Sequence, residues 1–168
     1  MITVRKSTPA DLDALMEIIE EARRTIATLG INQWQDGNPS RQRVAQDIQE
    51  GVSCLVESDG EICGTFALFP ADDPTYAKIY EGNWRTEGPY VAMHRVAIAL
   101  RHRGKGIAEK MMGFAADFAK ERGFFTLRID THEGNKVMRR MLEKNGFSYC
   151  GVIYLLNGDP RVAYDKIL

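Results

Sequence analysis

The residues best suited to chemistry form a short basic segment that follows an apolar stretch and precedes a helical pattern. This segment reads Arg101-His102-Arg103-Gly104-Lys105-Gly106. Glycine lets the backbone approach an anion because no Cβ intervenes, and the free N–H groups at a helix N-terminus favour negative charge. The pattern predicts a phosphate-binding loop, with a plain solvated connection as the alternative.

Neither of two common nucleotide-binding motifs accounts for this loop. A P-loop requires G-x-x-x-x-G-K-[ST], but Gly106 follows Lys105 and Ala99 stands at the first glycine position. A dinucleotide fingerprint requires G-x-G-x-x-G, and Glu109 occupies its third glycine position. A nucleotide-binding enzyme with a degenerate P-loop is therefore disfavoured.

The apolar periodicity around the loop predicts the elements that must position it. Strands are expected at 2–4, 52–57, 62–69, 90–99 and 124–130, and further apolar runs lie at 147–156 and 162–167. Helices are expected at 9–28, at 41–50, from 107 until Gly123, and at 136–144. Residues 70–89 show no clear pattern. The order is that of one α/β domain over residues 1–168, a mixed sheet with helices on both sides.

The composition is that of an ordinary globular protein, with 44% hydrophobic and 27% charged residues. The 22 basic and 23 acidic residues leave a net charge of −1, which indicates no surface built to follow nucleic acid. The longest stretch without charged residues, from Asn145 to Gly158, is too short to span a membrane, and the N-terminus lacks the apolar run of a signal peptide. Three cysteines without C-x-x-C spacing indicate neither a disulfide framework nor a zinc site. We therefore expect a cytoplasmic protein with no metal and no nucleic-acid or membrane partner.

Two motifs carry a resemblance to a known family. Arg103-Gly104-Lys105-Gly106-Ile107-Ala108 fits the pattern R/Q-x-x-G-x-G/A, and the segment from Asn135 to Phe147 is similar to N-x-x-A-x-x-x-Y-x-K-x-G-F. Both patterns belong to the GCN5-related N-acetyltransferase (GNAT) superfamily, and the order of elements resembles that family over nearly the whole chain. The second segment departs from the pattern at Met138 and Leu142, which stand where the family has Ala and Tyr.

The resemblance implies a mostly antiparallel sheet in which two parallel strands, here 90–99 and 124–130, splay apart to form an acyl-CoA cleft. Backbone amides of the loop would hold the pyrophosphate of acetyl-CoA, namely those of Arg103, Gly104, Lys105, Gly106, Ile107 and Ala108. The backbone of Val96, Ala97 and Ile98 would pair with the pantetheine arm, and the amide of Val96 or Ile98 would polarise the thioester carbonyl. Asn135 would reach the pantetheine, although asparagine is equally suited to cap the helix that it precedes.

The resemblance further implies an N-acetyltransferase that moves the acetyl group of acetyl-CoA to a primary amine by direct attack in a ternary complex. The amine must be neutral to attack, so a base that titrates near neutral pH is needed. His94 is our candidate, since strand alternation places it on one face with Val96 and Ile98. A structural histidine inside the sheet is the alternative. His102, in the basic loop, is expected to be exposed or near a phosphate.

The general acid is not supplied at its usual position. Leu142 cannot protonate the departing CoA thiolate, which leaves that role vacant or filled from elsewhere, and a thiolate is a tolerable leaving group near neutral pH. The candidate is Tyr149, with Cys150 and His132 as alternatives nearby in sequence.

The acceptor side is marked by two tryptophans in segments where the family places substrate-selecting elements. Trp34 and Trp84 would wall an acceptor pocket or, alternatively, cap the core. Two other functions stay open: an acyl-CoA-binding or sensing module with little catalysis, and a transferase for another acyl donor such as succinyl- or propionyl-CoA. A homodimer is compatible with the family, and the sequence favours neither state.

Overall fold

The computed structural model describes residues 1–168, and its strands and helices follow the predicted order. Seven strands are present: β1 (Ile2–Lys6), β2 (Ser53–Ser58), β3 (Glu61–Phe69), β4 (Val91–Ile98), β5 (Thr126–Thr131), β6 (Ser148–Tyr154) and β7 (Pro160–Ile167). Four α-helices accompany them: α1 (Leu12–Ala27), α2 (Arg41–Gln49), α3 (Ile107–Glu121) and α4 (Lys136–Lys144). Short 3₁₀ helices lie at Pro9–Asp11, Pro74–Tyr76 and Leu100–His102.

The strands form one seven-stranded sheet in the order β1-β2-β3-β4-β5-β7-β6. The pairs β1–β2, β2–β3, β5–β7 and β6–β7 are antiparallel, whereas β4 and β5 run parallel. The parallel pairing joins Val91 to Leu127 and Ala92 to Arg128. The predicted mixed, mostly antiparallel sheet with a parallel pair at these two strands is confirmed.

The chain divides into two units, each with its own core. The first unit comprises Met1–Leu68 and Arg95–Phe114, and the second comprises Phe69–His94 and Ala115–Leu168. Strand β4 and helix α3 therefore contribute residues to both units. The single domain expected over residues 1–168 stays a prediction.

The core of the first unit lies where α1 and α2 pack against β2. Its buried side chains are Leu15, Ile19, Val44, Ile48 and Leu55. Each fully buried leucine or isoleucine of this kind stabilises a fold by about 1.5–3 kcal/mol. A second cluster joins Ile18 of α1 to Ala97 and Ala99, and so fixes the chain at the end of β4 against that helix.

The second unit has an aromatic core supplied largely by the segment between β3 and β4. Tyr76 is 1% exposed, and its ring lies 5.2 Å from that of Trp84 and 6.1 Å from that of Tyr90. The indole N–H of Trp84 donates a hydrogen bond to the carbonyl of Tyr76 at 2.9 Å. Residues 70–89 carry no clear sequence pattern because tertiary contacts of this kind, rather than a periodic face, fix their conformation.

Candidate active site

Strand β4 carries His94 and loses its regular geometry at the next residue, Arg95. Arg95 has a φ of 55°, a left-handed conformation that a residue with a Cβ rarely adopts. Its guanidinium is held by the buried Asp47, with Nε 2.5 Å from Oδ2 and Nη2 2.9 Å from Oδ1. This ion pair within the first unit offsets the cost of the strained backbone.

The left-handed φ of Arg95 also bears on the direction of the side chains that follow it in β4. One irregular residue inside a strand re-aims the residues that follow it, as at a β-bulge. The expected common face of His94, Val96 and Ile98 depends on regular alternation through Arg95, and it stays a prediction. The contacts of His94 itself define its surroundings.

His94 lies in the second unit among aromatic and acidic side chains. Its Nε2 is 2.9 Å from Oδ2 of Asp73, and its side chain is 24% exposed. The rings of Phe69 and Tyr76 lie at centroid distances of 5.4 and 6.0 Å from the imidazole. The predicted base thus has a carboxylate partner and access to solvent, two features that favour proton transfer over a purely structural role.

The carboxylate of Asp73 is itself held in place from several directions. Its Oδ1 accepts hydrogen bonds from the backbone N–H of Thr75 at 2.8 Å and from the Thr75 hydroxyl at 2.6 Å. The backbone N–H of Asp73 donates to the hydroxyl of Tyr90 at 2.7 Å. Burial raises the pKa of Asp73, but the His94 imidazole and the Thr75 hydrogen bonds outweigh it and lower the pKa to about 2. Asp73 is therefore ionised at neutral pH.

A second carboxylate, Asp130 on β5, belongs to the same group of side chains. It accepts a hydrogen bond from the Tyr76 hydroxyl at 2.6 Å. Burial raises the pKa of Asp130 above its usual value, and the imidazole of His94 acts in the opposite direction. The sequence analysis found His94 but missed Asp73, Tyr76 and Asp130. The one available signal was Asp73 before Pro74, a pattern typical of a helix N-cap.

The basic loop presents hydrogen-bond donors and cations at the start of α3. Gly104 and Gly106 have φ angles of 75° and 82°, so both positions favour glycine. The carbonyl of Gly106 accepts from the N–H of Lys110 at 3.2 Å, which marks the first helical turn and leaves the amides within that turn without helical partners. The side chains of Arg103 and Lys105 are exposed. Free N–H groups, two cations and open space around Gly104 fit a diphosphate group.

The remaining residues predicted to bind the cofactor differ in exposure. Ile107 is buried and Ala108 is half-buried in the first turn of α3, so only their backbones are suited to contact a ligand. On β4, Ala97 is 5% exposed, whereas Val96 and Ile98 are half-buried.

Of the two settings expected for His102, exposure is wrong, and nearness to a phosphate stays a prediction. It is 8% exposed, and its Nε2 lies 3.2 Å from Oε2 of Glu61. Arg101 forms an ion pair with the same carboxylate. Glu61 thereby ties the start of the basic loop to β3, and His102 contributes to the structure of the loop.

Asn135 caps α4, as one of its two interpretations predicted. Its side-chain oxygen accepts a hydrogen bond from the N–H of Met138 at 3.2 Å. Leu142, at the position where the family has Tyr, is completely buried within the described chain. The contact of Asn135 with pantetheine stays a prediction.

Tyr149, the predicted acid, is 47% exposed, and its ring packs edge-on against Tyr164 at 5.9 Å. Its two alternatives, Cys150 and His132, both have pKa values shifted by burial. Burial raises the pKa of the Cys150 thiol to about 11. Burial also lowers the pKa of His132, and the Nδ1 of that ring accepts a hydrogen bond from the N–H of Gly134 at 2.9 Å.

The two tryptophans lie in different units and each packs on the core of its own unit. Trp34 is half-buried against both apolar clusters around α1. Trp84 packs on Tyr76, and the guanidinium of Arg128 lies 4.2 Å from the centre of its indole. Both positions match the core-capping alternative, and contact of either ring with an acceptor stays a prediction.

Residues 1–168 contain no group of three or more His, Cys, Asp or Glu side chains arranged to hold a metal ion. None of the helices has the length and apolar character required to cross a membrane.

Comparison with known proteins identifies the family. The Acetyltransferase (GNAT) family pattern matches residues 12–147. A solved GNAT acetyltransferase from Streptococcus agalactiae is 35% identical and superimposes with a TM-score of 0.92, over 99% of this chain and 95% of that one. The chain belongs to the GNAT family of acetyltransferases, as the two motifs predicted.

More distant relatives extend the comparison. Streptothricin acetyltransferase of Streptomyces lavendulae is 27% identical over 107 residues, which are 64% of this chain and 49% of that protein. This chain thus spans about half the length of that relative. The PaiA N-acetyltransferase of Thermoplasma acidophilum, solved in complex with coenzyme A, shares the fold with a TM-score of 0.73 at 18% identity, over 100% of this chain and 99% of that one.

Proposed function

We propose that this chain transfers the acetyl group of acetyl-CoA to a primary amine by direct attack in a ternary complex, with His94 as the general base. The observation that carries the proposal is the pair formed by His94 and the ionised Asp73. His94 lies on β4, the strand that leads into the basic glycine loop. Membership of the GNAT family supports the class of reaction.

The reaction needs a neutral amine, because an ammonium ion has no lone pair. His94 accepts the proton that the amine releases as its nitrogen bonds to the acetyl carbon and the C–S bond breaks. When bound, acetyl-CoA supplies an activated acyl group with a thiolate leaving group. The amide of Val96 or Ile98 would donate a hydrogen bond to the thioester oxygen.

The residues proposed to hold acetyl-CoA lie on two motifs. Loop amides from Gly104 to Ala108, with the exposed cations of Arg103 and Lys105, bind the pyrophosphate, since N–H donors at a helix N-terminus and positive charge suit a dianion. The amide of Arg103 already donates to the carbonyl of Leu100 at 3.2 Å, so this residue contributes chiefly its cation. Asn135 contacts the pantetheine in addition to capping α4. Tyr149 protonates the thiolate where an acid is required.

The acceptor is proposed to be a small molecule or protein that carries a primary amine, with Trp34 and Trp84 as candidate contacts. The Streptomyces lavendulae relative is an acetyltransferase for streptothricin, which supports including streptothricin among the acceptors tested. Succinyl-CoA and propionyl-CoA belong in the same assay as alternative donors.

The first test is calorimetric titration with acetyl-CoA, with ATP and NAD as controls, followed by thiol release with a panel of amines. Micromolar binding of acetyl-CoA with amine-dependent thiol release supports the proposal. Binding without turnover on any amine would favour an acyl-CoA-binding module, and absence of binding would refute the cofactor assignment.

A substitution in the loop tests the pyrophosphate site. Gly106→Asp should weaken acetyl-CoA binding by about tenfold or more, because it places a carboxylate beside the phosphates. Gly158→Asp is the matched control: Gly158 has a similar φ of 89° and, like Gly106, has no close neighbour that a Cβ would meet. Equal affinities of the two variants would contradict the loop assignment.

A further inference from the structure

The role of Asp73 extends beyond a close contact with His94. At 2.9 Å, the Nε2 and Oδ2 atoms are too close for two unprotonated, electron-rich atoms. An ionised carboxylate only accepts hydrogen bonds, so the proton between them belongs to Nε2. With one proton on a neutral imidazole, Nδ1 is then the atom with a free lone pair.

The carboxylate has no freedom to turn away from the imidazole. Both hydrogen bonds of Thr75 fall on Oδ1, and the one from its N–H is the bond by which Asp73 caps the 3₁₀ helix Pro74–Tyr76. Because Oδ1 is occupied, Oδ2 is left to face Nε2. The backbone N–H of Asp73 donates in turn to the hydroxyl of Tyr90, the residue that precedes β4.

We propose that Asp73 is a positioning residue that keeps the proton of His94 on Nε2 and stabilises the imidazolium, so that Nδ1 takes the proton from the acceptor amine. This inference rests on the proposed function, since it assigns an atom to the base of that reaction. The proton moves from the amine nitrogen to Nδ1, and no other bond changes at His94. Asp73 stays ionised throughout.

The charges around His94 are consistent with this role. Asp73 and Tyr76 face it from the segment after β3, and Asp130 acts from β5. Tyr90, which packs on Tyr76, directly precedes β4. Arg161 of β7 acts on Asp130. Asp73 is the carboxylate in direct contact with the ring, so its removal should affect the imidazolium most.

The main test compares Asp73→Asn with Asp72→Asn, which removes the same charge from an exposed neighbour. Asp73→Asn should lower kcat by about tenfold, part of the ~10²-fold contribution of a general base. It should also move the acidic limb of the kcat–pH profile to lower pH, because the imidazolium loses its counter-charge. Asp72→Asn should retain the wild-type profile. A profile of Asp73→Asn that matches Asp72→Asn would overturn the proposal.

Two further measurements separate positioning from a structural effect. In the His94→Ala background, Asp73→Asn should cause no additional loss of kcat, and a further tenfold loss would overturn the proposal. The ¹⁵N signals of His94 in the wild-type protein should show a protonated Nε2 and an unprotonated Nδ1 above the titration of the ring. The opposite tautomer would overturn the proposal even if Asp73→Asn does not fold.

The tautomer measurement also distinguishes the two proposals. If the protein binds acetyl-CoA but releases no thiol with any amine, the proposed function fails while the assignment of the Nε2 proton remains testable. If acetyl transfer occurs and His94→Ala abolishes it, but Asp73→Asn has the wild-type rate and profile, the function stands and the role of Asp73 fails.

Discussion

Asp11 in the first unit and Asp73 in the second are two carboxylates in closely similar settings. The pKa of each lies at about 2, and each side chain is mostly buried, with 10% and 17% exposed. Each accepts hydrogen bonds from the backbone N–H and the hydroxyl of one threonine: Thr8 at 2.7 and 3.1 Å, and Thr75 at 2.8 and 2.6 Å. Their cationic partners, however, differ.

Asp11 is paired with Arg5, whose Nη1 and Nη2 lie 2.8 and 3.0 Å from its two oxygens. A guanidinium keeps its charge at every pH where the protein is folded, so this pair can only hold structure. Asp73 faces His94, and an imidazole, unlike a guanidinium, is a group that can accept and release a proton in catalysis. A similarly held carboxylate thus stabilises the fold beside arginine, whereas beside histidine we propose that it supports proton transfer.

The largest expected effect comes from removing the titratable cation. His94→Ala should lower kcat/KM by ~10²-fold or more, with partial recovery at high pH where more of the amine is neutral. Steady-state thiol release across a pH series measures it. Arg5→Ala, the same change beside Asp11, should lower stability and leave kcat per folded molecule unchanged. A wild-type pH–rate profile in His94→Ala would exclude His94 as the base.

The next largest expected effect is a loss of folding stability when the charge of Asp11 is removed. Hydrogen bonding to Arg5 lowers the pKa of Asp11 from 3.8 to about 2, against the opposing effect of burial. Such a shift corresponds to about 2 kcal/mol of stability. Because the folded pKa lies below the unfolded one, this stabilisation is present above pH 3.8 and is lost as the pH falls toward 2.

Asp11→Asn should therefore lower the free energy of unfolding by about 2 kcal/mol at pH 7 and by much less near pH 2. Urea unfolding of both proteins across this range measures the difference. A difference that is the same at both pH values would mean that the ionised form of Asp11 contributes nothing specific. The kcat of the folded variant should be that of the wild type.

Features of the fold and the site that depend on neighbouring residues could be predicted from the sequence. The bounds of α4 follow from local rules. The turn between β2 and β3 is local as well, since Asp59 and Gly60 have left-handed φ angles of 51° and 82°, which these residue types favour in a hairpin. His94 was found because its residue type and its place before a glycine loop are local features. Both motifs of the GNAT family are also local and could be recognised in the sequence.

The missed features all depend on contacts that are distant in the sequence. Tyr76 and Asp130 are 54 residues apart and become a pair only in the folded sheet. Arginine is not a residue that favours a left-handed strand position, so nothing local predicts the φ of Arg95, which depends on Asp47 from α2. The burial of His102 could not be predicted because its partner Glu61 lies about 40 residues away in the sequence, on β3.

The smallest expected effect comes from removing the threonine hydroxyl that donates to each carboxylate. Because the change is the same beside Asp11 and Asp73, it compares their roles directly. Thr8→Val and Thr75→Val each delete one hydrogen bond to a carboxylate and should each cost about 1 kcal/mol of stability. The kinetics should differ. Thr8→Val should leave the kcat–pH profile unchanged, whereas Thr75→Val should loosen Asp73 and shift the acidic limb toward the position expected for Asp73→Asn. Unfolding in urea and thiol release over a pH series provide the two readouts. If both variants alter stability alone, Asp73 is a structural carboxylate like Asp11, and the distinction drawn from the neighbouring cations does not hold.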